Sequence, residues 1–251
     1  MWAPLGALCR RFRRIRPMSE PVTPAEGLGV LHLFCKLRRK IPAFGRPVDR
    51  RAVRAAVTAA TDAGDQVITV AILGHKADLA FMVLSEDLWR LRDLQTGLVA
   101  AGLDVVDSYV SMTELSEYSQ SLSDEMRRAR VHPVLPPEDK PAWCFYPMSK
   151  RRNVDANWFT LPYDDRHELM MEHGTSGRKF AGRILQVVTG STGVDDFEWG
   201  VTLFGQRPDD LKDVVYNMRY DRASAVYGEF GEFYFGMVDD LDTVLARVGL
   251  R

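Results

Sequence analysis

Four prolines fall within ten residues at His132–Pro141. Proline fixes φ and has no amide proton to donate, so this stretch can be neither helix nor interior strand. It reads as a connecting loop over residues 131–142. On either side lies a segment of similar length, 21–130 and 143–251, and both alternate strand-like with helix-like runs. That order predicts an α+β fold, a duplicated ferredoxin-like unit whose sheets pack together or close into a barrel.

In the first segment Gly29–Cys35 is a mostly apolar strand that ends against Lys36-Leu37-Arg38-Arg39-Lys40. Asp49–Ala63 has helical composition, Val67–Leu73 alternates as a strand, and Ala80–Leu84 is short and apolar. Ser85 reads as the N-cap of a helix over Glu86–Ala101, followed by a strand at Val105–Met112 and a polar loop at Glu117–Arg130. In the second segment Trp143–Pro147 is a short aromatic strand. Pro162–Phe180 is a helix with Asp164 and Asp165 in its first turn, where carboxylates interact favourably with the helix dipole. Arg183–Thr189 and Phe197–Phe204 are strands either side of Gly190-Ser191-Thr192-Gly193. Arg207–Tyr220 is a helix with Pro208 tolerated in its first turn. Ser224–Phe235 reads as one long last strand and Val238–Val248 as a closing helix.

The chain's 251 residues are 46% hydrophobic and 27% charged, ordinary for a globular protein with a sizeable core. A formal net charge of −1 gives no basic field for nucleic acid or an anionic membrane surface. No apolar run approaches the ~20 residues that span a bilayer, so stable membrane insertion is not expected. Cys9, Cys35 and Cys144 have no metal-ligand spacing, and their odd number suits a reducing cytoplasm better than a disulfide framework. Residues 1–20 form a basic extension, expected to be disordered, with Cys9-Arg10-Arg11-Phe12-Arg13-Arg14-Ile15-Arg16 at its centre. The arginines follow the apolar stretch Trp2–Leu8 instead of preceding it, which argues against a secretory signal and favours a start at Met18.

Several segments could carry chemistry. Tyr146-Pro147-Met148-Ser149-Lys150-Arg151-Arg152-Asn153 is either a surface turn with a solvated basic run or a tyrosine facing a cavity whose rim binds carboxylates or phosphate. His173, late in its helix and followed by Gly174 and Gly177, is either a helix-end cation or a metal or haem ligand to which the glycines admit a flat macrocycle. His32, His75 and His167 read as surface or packing residues. Trp199, in Asp195-Asp196-Phe197-Glu198-Trp199, reads first as core, and the arginines of Met218-Arg219-Tyr220 and Arg222-Ala223-Ser224 as solvated. No Walker loop, GxGxxG, HExxH or Ser-His-Asp order is present.

Taken jointly, Cys144-Phe145-Tyr146-Pro147-Met148-Ser149-Lys150-Arg151-Arg152, Asn157-Trp158-Phe159, His173-Gly174, Gly177-Arg178-Lys179-Phe180-Ala181-Gly182, Phe197–Phe204 and Met218-Arg219-Tyr220 resemble the actinobacterial coproheme decarboxylase branch of the chlorite dismutase-like haem proteins. The resemblance is densest over Trp143–Met237 and collinear from about Leu28. It implies a homopentamer of dimeric α+β barrels, each made of two ferredoxin-like halves, with haem in the C-terminal half. Carried over, it makes His173 the proximal iron ligand, and Tyr146 the tyrosine that becomes a radical. Lys150, Arg219 and Ser224 become propionate contacts, Tyr118 a further one, and Trp158 and Trp199 pocket walls. Gln186 stands where chlorite dismutases place a distal arginine, and His132 is the candidate distal base.

The implied reaction is oxidative decarboxylation of two propionates of iron-coproporphyrin III (coproheme) by hydrogen peroxide, through a harderoheme-type intermediate to haem b. His132 would shuttle the peroxide proton, Tyr146 would take hydrogen from the propionate, and Lys150 and Arg219 would fix which propionate it meets. A transient contact with a coproporphyrin ferrochelatase is a further implication. The rival readings are a haem-b chlorite dismutase or peroxidase on the same fold, and a non-catalytic haem-binding or delivery protein.

Overall fold

The computed structural model describes residues 20–37, 47–120 and 122–250. The basic N-terminal run, with its proposed start at Met18, and Arg38-Arg39-Lys40 lie outside the described residues. In chain order the elements of the first half are β1 (Gly29–Leu37), α1 (Arg50–Asp62), β2 (Gln66–Ile72), β3 (Leu79–Ser85), α2 (Leu88–Ala100) and β4 (Leu103–Thr113), with a short α3 (Asp124–Val131) leading into the connection. Then come β5 (Ala142–Lys150), α4 (Tyr163–Arg178), β6 (Ile184–Gly190), β7 (Trp199–Gly205), α5 (Pro208–Met218), α6 (Arg222–Ala225), β8 (Gly228–Phe230), β9 (Tyr234–Val238) and α7 (Leu241–Arg247).

Three sequence readings are corrected. The cap of α2 is Asp87, whose carboxylate accepts from the Trp89 amide, while the Ser85 hydroxyl accepts from the Asp87 amide one step earlier. The supposed loop Glu117–Arg130 contains most of α3, capped by Ser123; only Val131 of that helix is buried, so no apolar stripe announces it. The supposed long strand Ser224–Phe235 begins inside α6, which Asp221 caps, and then divides into β8 and β9.

All pairings between strands among the described residues are antiparallel, and the order within the first half is β4-β1-β3-β2. The second half repeats it as β9-β5-β7-β6. The two are joined by β2 on β9 (Val70↔Val238 to Ile72↔Gly236) and by β4 on β6 (Met112↔Gly190, Thr113↔Thr189). Those joints close eight strands into a ring, and β8 pairs with the end of β5 beyond β9. The fold is α+β, and a closed sheet leaves no unpaired edge along the ring.

Strand side chains alternate between faces. One face of each strand points into the ring, where Val30, Phe34, Ile68, Val70, Met82, Trp143, Phe145, Phe204 and Tyr234 pack together from both halves. On the opposite face of the first half, Leu31, Leu33, Phe81 and Val83 meet α1, α2 and α7. β1 is therefore apolar on both faces, which explains why its sequence is a continuous run. In the second half the same alternation turns Tyr146 outward, together with Val201 and Leu203, under Leu211 and Val214 of α5. That outer face, with the helices over it, holds the site.

Candidate active site

A cavity of about 360 Å³ lies between the outer face of the second-half strands and the helices, within the range of small-molecule sites. Its strand wall carries Tyr146, Met148 and Lys150 from β5, Gln186 and Val188 from β6, and Trp199 and Val201 from β7. The spacing of two within each strand is the period that puts side chains on one face. The helical wall carries Met170 and His173 from α4, Val215 and Met218 from α5, and Arg219 and Ser224 just beyond. The segment after β4, Glu114–Tyr118, closes one end.

Of the sequence-derived candidates, Tyr118, Tyr146, Lys150, Trp158, His173, Gln186, Trp199, Arg219 and Ser224 all line this one cavity. His132 does not. It is the exposed C-cap residue of α3, and the cavity wall does not include it.

His173 sits in the body of α4, which runs on through Gly174 and Gly177. Its Nδ1 lies 3.1 Å from Oδ2 of Asp221, whose side chain is 1% exposed. Burial alone would raise Asp221, but the hydrogen bonds and charge of His173 and the bonds from Ser224 outweigh it and hold the carboxyl below its ordinary range. An ionised carboxylate only accepts, so Nδ1 carries a proton and Nε2 is the ring nitrogen left to ligate. This is the arrangement that orients a ligating imidazole and raises its basicity. The same Asp221 caps α6 through the Ser224 amide at 2.9 Å. Sequence reading missed Asp221; its visible signal is a capping residue ahead of Arg222-Ala223-Ser224.

Lys150 is 6% exposed. Its Nζ donates to the Ala223 carbonyl at 2.8 Å and lies 4.5 Å above the Trp158 ring, with no salt bridge among the described residues. Burial lowers its ammonium to about 8, against the opposing pull of Asp221 and Glu198. Glu198, itself buried, accepts from the Lys150 amide at 2.8 Å and so fixes the strand end that carries this cation. Arg219 caps α5 with its guanidinium 5.5 Å over the Phe230 ring and no carboxylate partner among the described residues. Two cations without bonded counter-ions in one cavity call for an anionic ligand.

Tyr146 is stacked on Phe233 at 4.4 Å and meets Phe230 edge-on at 5.8 Å. Burial and then Cys144 push its phenol up, more than the nearby Arg219 pulls it down, so it stays protonated through the neutral range. The buried Tyr118 hydroxyl makes no well-formed hydrogen bond; burial and the neighbouring Glu117 carboxylate push the phenol up, and a ligand oxygen in the cavity would give it a better partner.

Fold and site together define a closed-sheet α+β protein whose cavity brings an imidazole and two cations together. A family model described as chlorite dismutase matches residues 49–238. The chain belongs to the chlorite dismutase family. It is 46% identical over 177 residues to a coproheme decarboxylase of Staphylococcus carnosus, covering 66% of this chain and 70% of that protein. A structure of a heme-binding protein from Thermus thermophilus superposes with a TM-score of 0.79 at 36% identity, over 92% of this chain and 100% of that one. A chlorite dismutase variant from Candidatus Nitrospira defluvii shares the fold, with a TM-score of 0.72 at 17% identity over 90% of this chain and 97% of that one. Among the described residues no helix is long and apolar enough to cross a membrane.

Proposed function

We propose that the chain decarboxylates coproheme, converting two of its propionates to vinyl groups at the expense of hydrogen peroxide and releasing haem b. One observation carries the reading. A buried, protonated tyrosine lies in the same cavity as an imidazole with Nε2 left to ligate and two cations that have no bonded carboxylate. The donor set fits the group: Nε2 of His173 for iron, Lys150, Arg219 and Ser224 for propionate oxygens, and the Tyr118 hydroxyl for another.

The coproheme substrate, once bound, supplies with peroxide the oxidising power, and the residues supply placement. Each propionate reacts as R–CH2–CH2–COO− → R–CH=CH2 + CO2 + 2 e− + H+, matched by two-electron reduction of one peroxide to water. Tyr146 gives up an electron and its phenolic proton, then takes a hydrogen atom from the propionate chain; Lys150 and Arg219 hold that chain's carboxylate at the tyrosine. Gln186, a neutral amide on β6, faces the substrate from the strand wall.

The test is to load the full chain with ferric coproporphyrin III, add peroxide in steps, and follow porphyrin mass. Two successive losses of a carboxyl group, ending at haem b, are expected. Bleaching without vinyl formation would overturn the reading.

Lys150 adds a pH signature. Its ammonium is charged below about 8 and neutral above, and a propionate beside it favours the charged form. Coproheme affinity should therefore be highest below pH 8 and fall as pH rises through it, by up to about tenfold per pH unit. In Lys150→Met, binding at pH 7 should be weaker and this alkaline limb absent, as read by Soret titration.

A further inference from the structure

Glu114 lines the cavity and was not singled out by its sequence context. It follows β4 directly, at the thin joint where Met112 and Thr113 pair with Gly190 and Thr189 of β6. Its carboxylate lies against Gly190, where any Cβ would overlap it, and the nearby Trp199 favours its ionised form. Thus Gly190 leaves the space, and the carboxylate sits at the strand wall while still open to the cavity.

The position has chemical content. His173 stands on the helical wall, so a porphyrin that took it as iron ligand would meet the strand wall on its other side. There β6 and β7 contribute only Gln186, Val188, Trp199 and Val201, none of which titrates. From β5, Tyr146 and Lys150 face the cavity, the first held protonated and the second a proton donor. Glu117 and Tyr118 share the Glu114 segment, and Arg219 lies across on the helical side. We infer that Glu114 is the proton acceptor for peroxide on the far face of the substrate. The inference rests on the proposed decarboxylase reading.

The carboxylate takes one proton from HOOH, leaving HOO−. It would return that proton to the hydroxide released when the O–O bond breaks, giving one water; the iron porphyrin substrate would supply the two electrons, and the second oxygen would leave as water with two protons, one from the propionate reaction and one from solvent. Partial burial raises Glu114 from its ordinary value, and the nearby Trp199 opposes the rise. The acceptor form is thus lost as pH falls through the raised value.

Cyanide is the probe, since HCN must likewise lose a proton to bind ferric iron, and no decarboxylation is involved. On the full chain loaded with ferric coproporphyrin III, stopped-flow association should slow about 10²-fold at pH 7 in Glu114→Gln. The acid limb of its pH profile should vanish, and Glu114→Asp should restore part of both. Trp199→Phe should move the limb to higher pH, because the neighbour that holds Glu114 down is gone; a merely structural carboxylate would not do this. An unchanged rate and profile in Glu114→Gln would overturn the inference, as would a profile abolished by His132→Gln instead. If the wild-type protein shows the Glu114-dependent profile but peroxide yields no vinyl groups, the decarboxylase reading fails and the proton acceptor stands.

Discussion

Tyr146→Phe should bind coproheme as the wild type does and release CO2 at least ~10³-fold more slowly, about 4 kcal/mol on the barrier. The substitution keeps the ring that stacks on Phe233 and meets Phe230, so packing and binding are preserved. What it removes is the phenolic O–H, the group that can lose a proton and an electron together and then take a hydrogen atom. Porphyrin mass after peroxide addition reads the loss directly, and the Soret band reads retained binding. A Phe variant that still forms vinyl groups at the wild-type rate would end the tyrosine's role, whatever the fate of the other residues.

Phe34→Ala should lower stability by roughly 3–5 kcal/mol, the usual range for emptying a fully buried phenylalanine site. Phe34 is 0% exposed inside the ring, stacked on Tyr234 at 3.7 Å and tilted against Phe145 at 5.6 Å and Trp143 at 6.3 Å. Its partners come from the other half of the chain, so the vacated volume lies between the halves, where neither can collapse alone to fill it. For a chain of this size the midpoint of thermal unfolding should drop by roughly 6–20 °C. A shift of a degree or two would mean that the ring interior is loosely filled and that the helices on the outer faces carry the stability.

Strands and helices with a buried face were legible because apolar period and burial coincide: β1, β3 and β5 are buried almost throughout. The polar α3 hid because helix formation there rests on a cap and charge, not on an apolar stripe. The last strand was overrun at its start because Asp221 caps a helical turn that residue preference alone does not mark. In the site, Tyr146 and Lys150 could be singled out from one distinctive local segment, whereas Gln186 and the pocket role of Trp199 came from the family resemblance. Asp221 and Glu114 could not. The first matters through His173, 48 residues away, and the second through Trp199 and Gly190 on two other strands. Such roles belong to tertiary neighbours: the local cap signal at Asp221 marks a helix start and not its bond to His173, and Glu114 has no local signal.

The ring closes through joints of unequal strength. β5 and β7 share seven residue pairs within the second half, whereas of the two joints between the halves β2 and β9 share three and β4 and β6 only two. A sheet fastened this way behaves like a bracelet with a clasp: parting at the clasp breaks few hydrogen bonds and leaves each half's own ladder intact, so it is the least costly large opening available. Glu114 sits beside that clasp, with Gly190 one of the residues it fastens. Breathing of the barrel would therefore reach the Glu114 end of the cavity before it disturbed His173, which rides on a helix fastened elsewhere. A ligand held at His173 would then stay in place while small molecules exchange at the opposite wall.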